Sequence, residues 1–171
     1  MDTTVFQKMT YGMYVLATAK DGTYNGQVVN TCFQITDQPP TIAVCINRAN
    51  LTYEYLQASG ILSVSIISQE APMIFLGKFG FRSGRDIDKF KDTGFRVLDS
   101  GCPVVLDYAL GYLEAKVVAR QDNGPHTLFS CAVTNSGMLA AGTPMSYAYY
   151  HEVKKGLTPK AAPTYVTRGK G

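Results

Sequence analysis

Six segments with the composition of β-strands follow one another along this chain, and they constrain its fold more than any other feature. Their β-branched and aromatic residues are separated by turn-forming residues, with the sharpest hairpin signals at Asp21-Gly22 and Asn123-Gly124. The segments are 11–18 (YGMYVLAT), 26–35 (GQVVNTCFQI), 41–47 (TIAVCIN), 61–68 (ILSVSIIS), 113–120 (LEAKVVAR) and 126–133 (HTLFSCAV). Strands in hairpin succession pair antiparallel, so we predict a mainly β protein, an antiparallel barrel with a few flanking helices. In 113–120 the alternation of residues predicts a strand with one solvated face.

Two segments carry helical signals. The stretch 50–60 (NLTYEYLQASG) has Asn50 as a candidate N-cap and Gly60 as a stop, and 71–80 (APMIFLGKFG) opens with a proline suited to a first helical turn. From residue 156 the composition changes to Pro, Ala, Lys and Gly. We therefore predict a folded domain over residues 1–155 and an arm or linker-like tail over residues 156–171.

Charge and hydropathy argue against several classes of partner. The 171 residues include 16 basic and 13 acidic side chains, and the net charge of +3 is spread along the chain. No basic patch therefore indicates binding to nucleic acid or to an anionic membrane. The N-terminus lacks the basic flank and long apolar stretch of a signal peptide, and no segment is long and apolar enough to span a bilayer. We expect a soluble, cytoplasmic protein.

The common catalytic motifs are missing from the sequence. No GxGxxG follows a strand, and GxxxxGK[ST], GxSxG and HExxH do not occur. The four cysteines, at 32, 45, 102 and 131, form no CxxC pair, which disfavours a structural zinc site and predicts free thiols in a reducing compartment. The sequence thus predicts no resident metal and gives no support for hydrolysis.

The second strand segment is unusually polar for a strand that only fills a core. It carries Gln27, Asn30, Thr31, Cys32 and Gln34 among its apolar residues. A buried polar group without a partner costs roughly 1–3 kcal/mol. We therefore expect a polar partner to meet this segment.

The order of the blocks along the chain resembles the flavin reductase-like family of FMN-binding split barrels. The blocks are YGMYVLAT, NGQVVNTCFQIT, PPTIAVCINRANLTYEYL, APMIFLGKFGFRSGRDIDKF and HTLFSCAV. They are especially similar to small NAD(P)H:ferric or flavin reductases of anaerobic prokaryotes and to the flavin domain of high-molecular-weight rubredoxins. The resemblance covers about residues 11–155. It implies a Greek-key split barrel and a homodimer that binds FMN near the subunit interface.

The resemblance also implies which residues contact the flavin. Asn30 and Thr31 match the polar strand segment that faces the flavin, although a strand end bonded to a neighbouring turn is an alternative. In 46–52 (INRANLT) a strand leads into a helix, where helix N–H groups and a guanidinium can meet phosphate, or where Asn50 only caps the helix. Arg82 matches a second basic residue, beside aromatic residues that cover the ring or belong to the core. The predicted cofactor-binding residues are Gly26, Gln27, Asn30, Thr31, Asn47, Arg48, Asn50, Thr52, Phe81 and Arg82.

Cys45 and His126 match positions on the open face of the flavin in the ferric reductases, and we predict them as catalytic residues. Imidazole can polarise or protonate groups near a flavin, and a thiolate with an imidazole could briefly hold ferric iron. Cysteine is, however, among the most buried residue types, and a lone histidine is often structural.

The predicted function is electron transfer from NAD(P)H through bound FMN to a ferric chelate, free flavin or redox protein, with a rubredoxin as one candidate partner. The alternative is a non-enzymatic FMN electron carrier that a partner protein reduces. The pyridoxamine-phosphate oxidase branch of the barrel ranks third, because its cluster of phosphate-binding Arg and Lys is missing from this sequence.

Overall fold

The computed structural model describes residues 2–165 of the chain. This part contains nine strands and three α-helices. The strands are β1 (Tyr14–Lys20), β2 (Thr23–Val29), β3 (Cys32–Asp37), β4 (Pro40–Asn47), β5 (Ile61–Ile67), β6 (Phe95–Val97), β7 (Pro103–Val105), β8 (Ala109–Asn123) and β9 (His126–Met138). The helices are α1 (Leu51–Ser59), α2 (Met73–Gly80) and α3 (Tyr147–Glu152), and a 3-10 helix (Thr3–Lys8) precedes β1. The predicted mainly β, antiparallel fold is confirmed.

The main sheet has seven strands in the order β2-β1-β5-β8-β9-β4-β3, and every neighbouring pair is antiparallel. The turn at Asp21-Gly22 joins β1 to β2 with φ of +49° and +74°, the left-handed values that this hairpin turn requires. The predicted hairpin after Asn123 is also present, between β8 and β9.

The prediction of one strand over residues 26–35 is wrong, because the chain breaks at Asn30-Thr31. β2 pairs with β1 and β3 pairs with β4, so the two halves lie at opposite ends of the sheet order. The backbone N–H of Cys45 donates to the Thr31 carbonyl (3.1 Å), which joins the crossing segment to β4. The barrel is split at this crossing.

Strand β1 lies between two apolar cores, which explains its continuous apolar run. Val15 and Ala17 pack in one core with Phe75 and Phe79 of α2. Leu16, between them in sequence, points to the other face because successive strand residues alternate, and it packs in the barrel interior. The barrel and α2 are thereby fixed to each other through a single strand.

Helix α1 has the predicted limits. Asn50 precedes its first residue, and Gly60 follows its last residue with φ of +67° and donates its N–H to the Leu56 carbonyl (2.8 Å). Helix α2 begins after Pro72 rather than at it. No helix within residues 2–165 is both long enough and apolar enough to cross a membrane.

Three features were not predicted or differ from the prediction. The β6–β7 hairpin has only three residues in each strand, too few for a periodic signal. β8 extends beyond the predicted segment at both ends, and β9 extends to Met138, where it pairs with the start of β8. Glu114, predicted on a solvated face, is buried, and Ser100 of the loop between β6 and β7 donates to its carboxylate.

Candidate functional site

A cavity of about 620 Å³ opens where β2 ends and the chain crosses to β3. Four further segments complete its walls: the end of β4 with the start of α1, the end of α2 with the residues that follow it up to Lys89, the aromatic residues of α3, and residues 157–163 of the tail. Small-molecule sites in proteins have volumes of roughly 300–1,000 Å³. The cavity is therefore of a size that holds a cofactor.

Nine of the residues predicted from the sequence line this cavity. They are Gln27, Asn30, Thr31, Cys45, Asn47, Asn50, Thr52, Phe81 and Arg82. Three predicted residues, Gly26, Arg48 and His126, are not part of the lining. The structure thus brings most of the predicted set together, although the residues come from three separate segments of the chain.

Amide and hydroxyl groups form one wall of the cavity and bond to one another. Asn50 Nδ2 donates to Gln27 Oε1 (3.0 Å), so Asn50 serves this wall and makes no side-chain cap to its own helix. Behind them, buried Asn25 donates from Nδ2 to Thr52 Oγ1 (2.8 Å). A primary amide has two N–H donors and two acceptor lone pairs, so each of these bonds leaves further bonding capacity on Asn50 and Gln27 for a ligand.

Cys45 faces the cavity from β4 beside the crossing. Thr31 Oγ1 donates to the Cys45 carbonyl (3.2 Å), opposite to the bond from Cys45 N–H to the Thr31 carbonyl. Burial raises the pKa of the Cys45 thiol above its ordinary value of 9.0. The thiol form therefore predominates near neutral pH, which disfavours the predicted role of a thiolate in holding iron.

Gly26 lies behind the cavity wall, packed closely against β1 and α2. A Cβ on Gly26 would lie 3.0 Å from the Leu16 carbonyl oxygen and 3.4 Å from the Phe79 ring. The absence of a side chain thus lets β2 approach its neighbours rather than lets a ligand approach β2.

Arg48 points away from the cavity, toward the β8–β9 hairpin. Its Nη1 lies 3.5 Å from Asp122 Oδ2, and both side chains are about half exposed. Arg48 N–H also donates to the Pro125 carbonyl of that hairpin (2.8 Å). Its observed contacts therefore hold the hairpin.

His126 lies directly across from Asn47 in the β4–β9 pairing. Asn47 lines the cavity, whereas the ring of His126 is separated from it by the tail. Nε2 of His126 lies 3.2 Å from the Ala161 carbonyl oxygen and 3.5 Å from Asn47 Nδ2. Because a carbonyl can only accept, Nε2 carries the proton in the shorter contact.

The tail forms a wall that the sequence did not predict. Asn30 Nδ2 donates to Thr164 Oγ1 (2.7 Å), Tyr150 OH donates to the Leu157 carbonyl (2.9 Å), and Tyr147 OH bonds to Thr158 Oγ1. Its Pro- and Ala-rich composition resembles that of a linker. In the sequence, only the tyrosines of α3 indicate that another segment packs against that helix. The division at residue 155 stays a prediction, and residues 166–171 lie outside the described part of the chain.

Two cations of the segment after α2 were also missed. Arg85 pairs with Glu54 of α1, and Lys89 is buried, with only 5% of its surface exposed. The glycine-rich stretch 77–85 gave a hint, but its spacing matches no phosphate-binding motif. Gly84 is needed here because a Cβ at this position would overlap Asn25 Oδ1.

The charge on the lining residues is entirely positive. Arg82, Arg85, Lys89 and Lys160 contribute to the lining, whereas no aspartate or glutamate within residues 2–165 does. Neutral amides and hydroxyls supply the remaining polar groups. This donor set suits a ligand that has a polar planar part and at least one anionic group, such as a phosphorylated cofactor.

Comparison with known protein families gives one match over most of the chain. The profile described as "Flavin reductase like domain" matches residues 6–158. The match includes every segment that lines the cavity up to the first residues of the tail wall.

Two proteins of named function align with this chain over 165 residues each. A high molecular weight rubredoxin of Moorella thermoacetica is 47% identical over 165 residues, which cover 96% of this chain and 72% of that protein. A ferric-chelate reductase (NAD(P)H) of Archaeoglobus fulgidus is 39% identical, with 96% and 98% covered. The solved structure of an FMN-binding protein from Thermus thermophilus superimposes with a TM-score of 0.71 at 20% identity, over 78% of this chain and 74% of that one, which supports the split-barrel fold.

Proposed function

We propose a reaction for this chain from one premise: it belongs to the flavin reductase-like domain family. Its chemistry is flavin-based electron transfer, and its cofactor is FMN. The finer proposal is that the protein takes electrons from NADH or NADPH and delivers them to a ferric chelate, free flavin or redox protein.

The residues that line the cavity fit FMN. When bound, FMN supplies the redox chemistry, because it accepts a hydride equivalent and releases electrons singly or in pairs. The amides of Gln27 and Asn50 can bond the polar edge of the ring or the ribityl hydroxyls, and the guanidinium of Arg82 can pair with the phosphate. Phe81, about half exposed beside Arg82, offers an apolar surface to the ring.

The lining supplies positioning and charge, and no protein acid or base is required for the transfer of a hydride. This accounts for the lack of a familiar catalytic motif in the sequence. The nicotinamide would approach the side of the cavity lined by Cys45, because this residue matches the open face of the flavin in the ferric reductases that the sequence resembles. His126 would act there only once the tail moves, since Ala161 now occupies its Nε2.

One observation carries this proposal: a cofactor-sized cavity with cationic and amide groups lies at the split of a barrel whose sequence matches the family throughout. The test is to mix FMN-loaded protein anaerobically with NADH and, separately, with NADPH, and to follow the absorbance of oxidised flavin. Rapid bleaching supports the reductase. If neither NADH nor NADPH bleaches the flavin, NAD(P)H is not the electron donor and leaves the proposal.

The electron carrier remains a second candidate because of one specific comparison. The relative that is 47% identical is named a high molecular weight rubredoxin, and this chain spans only 72% of its length. A carrier of this kind would be bleached by a reduced redox protein and not by nicotinamide nucleotides. The same anaerobic experiment with a reduced rubredoxin therefore distinguishes the two functions.

The homodimer stays part of the proposal. It rests on the resemblance of the sequence to the family. The mass of the FMN-loaded protein in solution, measured by light scattering after gel filtration, tests it.

A further inference from the structure

Lys89 is the most deeply buried charged side chain of the cavity wall. Its exposed fraction is 5%, whereas Arg82 and Arg85 are exposed. Nζ donates to the Gly26 carbonyl of β2 (2.8 Å) and to the Phe79 carbonyl of α2 (3.3 Å). An ammonium group has three donors, so these two bonds leave one N–H.

No carboxylate compensates this charge within residues 2–165. The ion pairs found there are Arg48 with Asp122 and Arg85 with Glu54. A buried charge without an opposite charge is unfavourable because it loses its hydration. Loss of hydration lowers the pKa of Lys89 from 10.5 to about 8. An anion bound in the adjoining cavity would compensate the charge.

The charged groups on the neighbouring segments already have other partners or are exposed to solvent. Lys78 donates to the Lys91 carbonyl and to Thr93 Oγ1. Asp88 Oδ1 accepts the N–H groups of Phe90 and Lys91. The other charged side chains of these segments are Arg82, Arg85, Asp86, Lys91 and Asp92, all exposed, and the one ionisable side chain of β2 is Tyr24.

We propose that the ammonium group of Lys89 is the buried cation that pairs with the negative charge of the bound flavin while it fixes the Gly26 carbonyl behind the cavity wall. This inference rests on the proposed function and adds a residue to its site. Two parts of FMN can provide the charge: the phosphate, and the isoalloxazine ring, which becomes anionic on reduction. Both would bring the same ammonium group an opposite charge.

The test compares three variants with the wild-type protein by titration of flavin fluorescence. Lys89→Met removes the charge with similar side-chain volume, and Lys89→Arg retains it. Lys78→Met is the matched control, because Lys78 also bonds a backbone carbonyl but does not line the cavity. Thermal unfolding of each variant shows that it is folded before binding is measured.

We expect Lys89→Met to weaken FMN binding at pH 7.5 by about 10- to 100-fold, the effect of one hydrogen bond to a charged group. Lys89→Arg should recover part of this loss, and Lys78→Met should bind FMN as the wild type does. Above about pH 8, wild-type affinity should fall by up to tenfold per pH unit as Lys89 loses its proton, whereas Lys89→Met should show no such fall. The second flavin phosphate pKa of about 6 lies below this range.

Riboflavin and the reduction potential distinguish the two sources of charge. If the phosphate is the partner, Lys89→Met leaves riboflavin binding and the potential of bound FMN unchanged. If the reduced ring is the partner, the potential of the variant falls and riboflavin binding to the reduced protein also weakens. Either result supports the proposal.

Equal FMN affinity, pH dependence and potential in Lys89→Met and the wild type would overturn it. The proposed function would survive that result, provided that NAD(P)H still bleaches the wild-type flavin. A wild-type protein that binds no FMN would instead remove the function itself.

Discussion

At the scale of single residues, the two arginines predicted to meet phosphate differ in their surroundings. Arg82 lines the cavity, whereas Arg48 pairs with Asp122 on the β8–β9 hairpin. We therefore expect Arg82→Ala to weaken FMN binding by about tenfold, as for a charge-assisted hydrogen bond at a partly exposed site. Arg48→Ala is the matched control and should leave it unchanged. Fluorescence titration measures both, and equal losses would place the phosphate near the hairpin.

Gly84 offers a test of the packing behind the polar wall. A methyl group at this position would overlap Asn25 Oδ1 and lie 3.1 Å from a Leu51 methyl. Gly84→Ala should therefore displace Asn25, break its bond to Thr52 and lower the free energy of unfolding by about 1–3 kcal/mol. A methyl group at Gly77 in α2 would meet no atom within 4 Å apart from its chain neighbours and the backbone of its own helix, so Gly77→Ala should instead stabilise the helix by about 0.5–1 kcal/mol. Chemical denaturation measures both, and an unaffected Gly84→Ala would contradict the close contact.

At the scale of elements, the sequence predicted the strands that have strong composition and missed those decided by tertiary contacts. Five of the six segments are present as single strands because β-branched residues and Gly turns act locally, and the sixth, 26–35, is divided between β2 and β3. The break at Asn30-Thr31 was missed because no Gly or Pro marks it, and only its pairing partners β1 and β4 separate the two halves. Lys89 was missed for a similar reason: in DIDKFKD it resembles a solvated charge, and its burial arises from β2 and α2.

We predict that the tail helps to retain FMN but is not needed for folding. Its residues take no part in the two apolar cores, yet residues 157–163 form a wall of the cavity. A chain that ends at Gly156 should therefore keep its fold but release FMN faster, by about tenfold if one or two hydrogen bonds and their apolar contacts are lost. Stopped-flow dilution measures the rate of release. Thr164→Val, which removes only the hydroxyl contacts with Asn30 and Tyr147, should have a smaller effect. A truncated chain that fails to fold would show that the predicted boundary is misplaced.

At the scale of the whole molecule, the sheet supplies a rigid frame and the site lies where that frame is open. The split separates β2 from β3. The polar residues where the chain crosses between these strands therefore lie beside the end of β4 and the start of α1. Sequence reasoning predicted most of the amide wall because those residues are polar where a core strand would be apolar. Of the cationic wall it predicted Arg82 but not Arg85 or Lys89, whose positions depend on how the segment after α2 packs against α1 and β2.

The buried cysteines give the last prediction, a loss of stability at alkaline pH. Burial raises the pKa of Cys32, Cys102 and Cys131 from 9.0 to about 12. Between these values the unfolded chain releases protons that the folded chain retains, so stability present below pH 9 is lost as the pH rises. Lys89 acts in the opposite direction from about pH 8 to 10.5, but it is one group against three.

The free energy of unfolding should consequently fall by about 1 kcal/mol or more per pH unit between about pH 9 and 10.5. A difference of one bound proton between the folded and unfolded chains changes this free energy by about 1.4 kcal/mol per pH unit. Urea denaturation at a series of pH values measures it. Cys131→Val keeps an apolar side chain of similar size in the barrel interior and removes one thiol, so its slope against pH should be smaller than that of the wild type. A stability that does not change over this range would mean that the three thiols are less shielded from water than their burial implies.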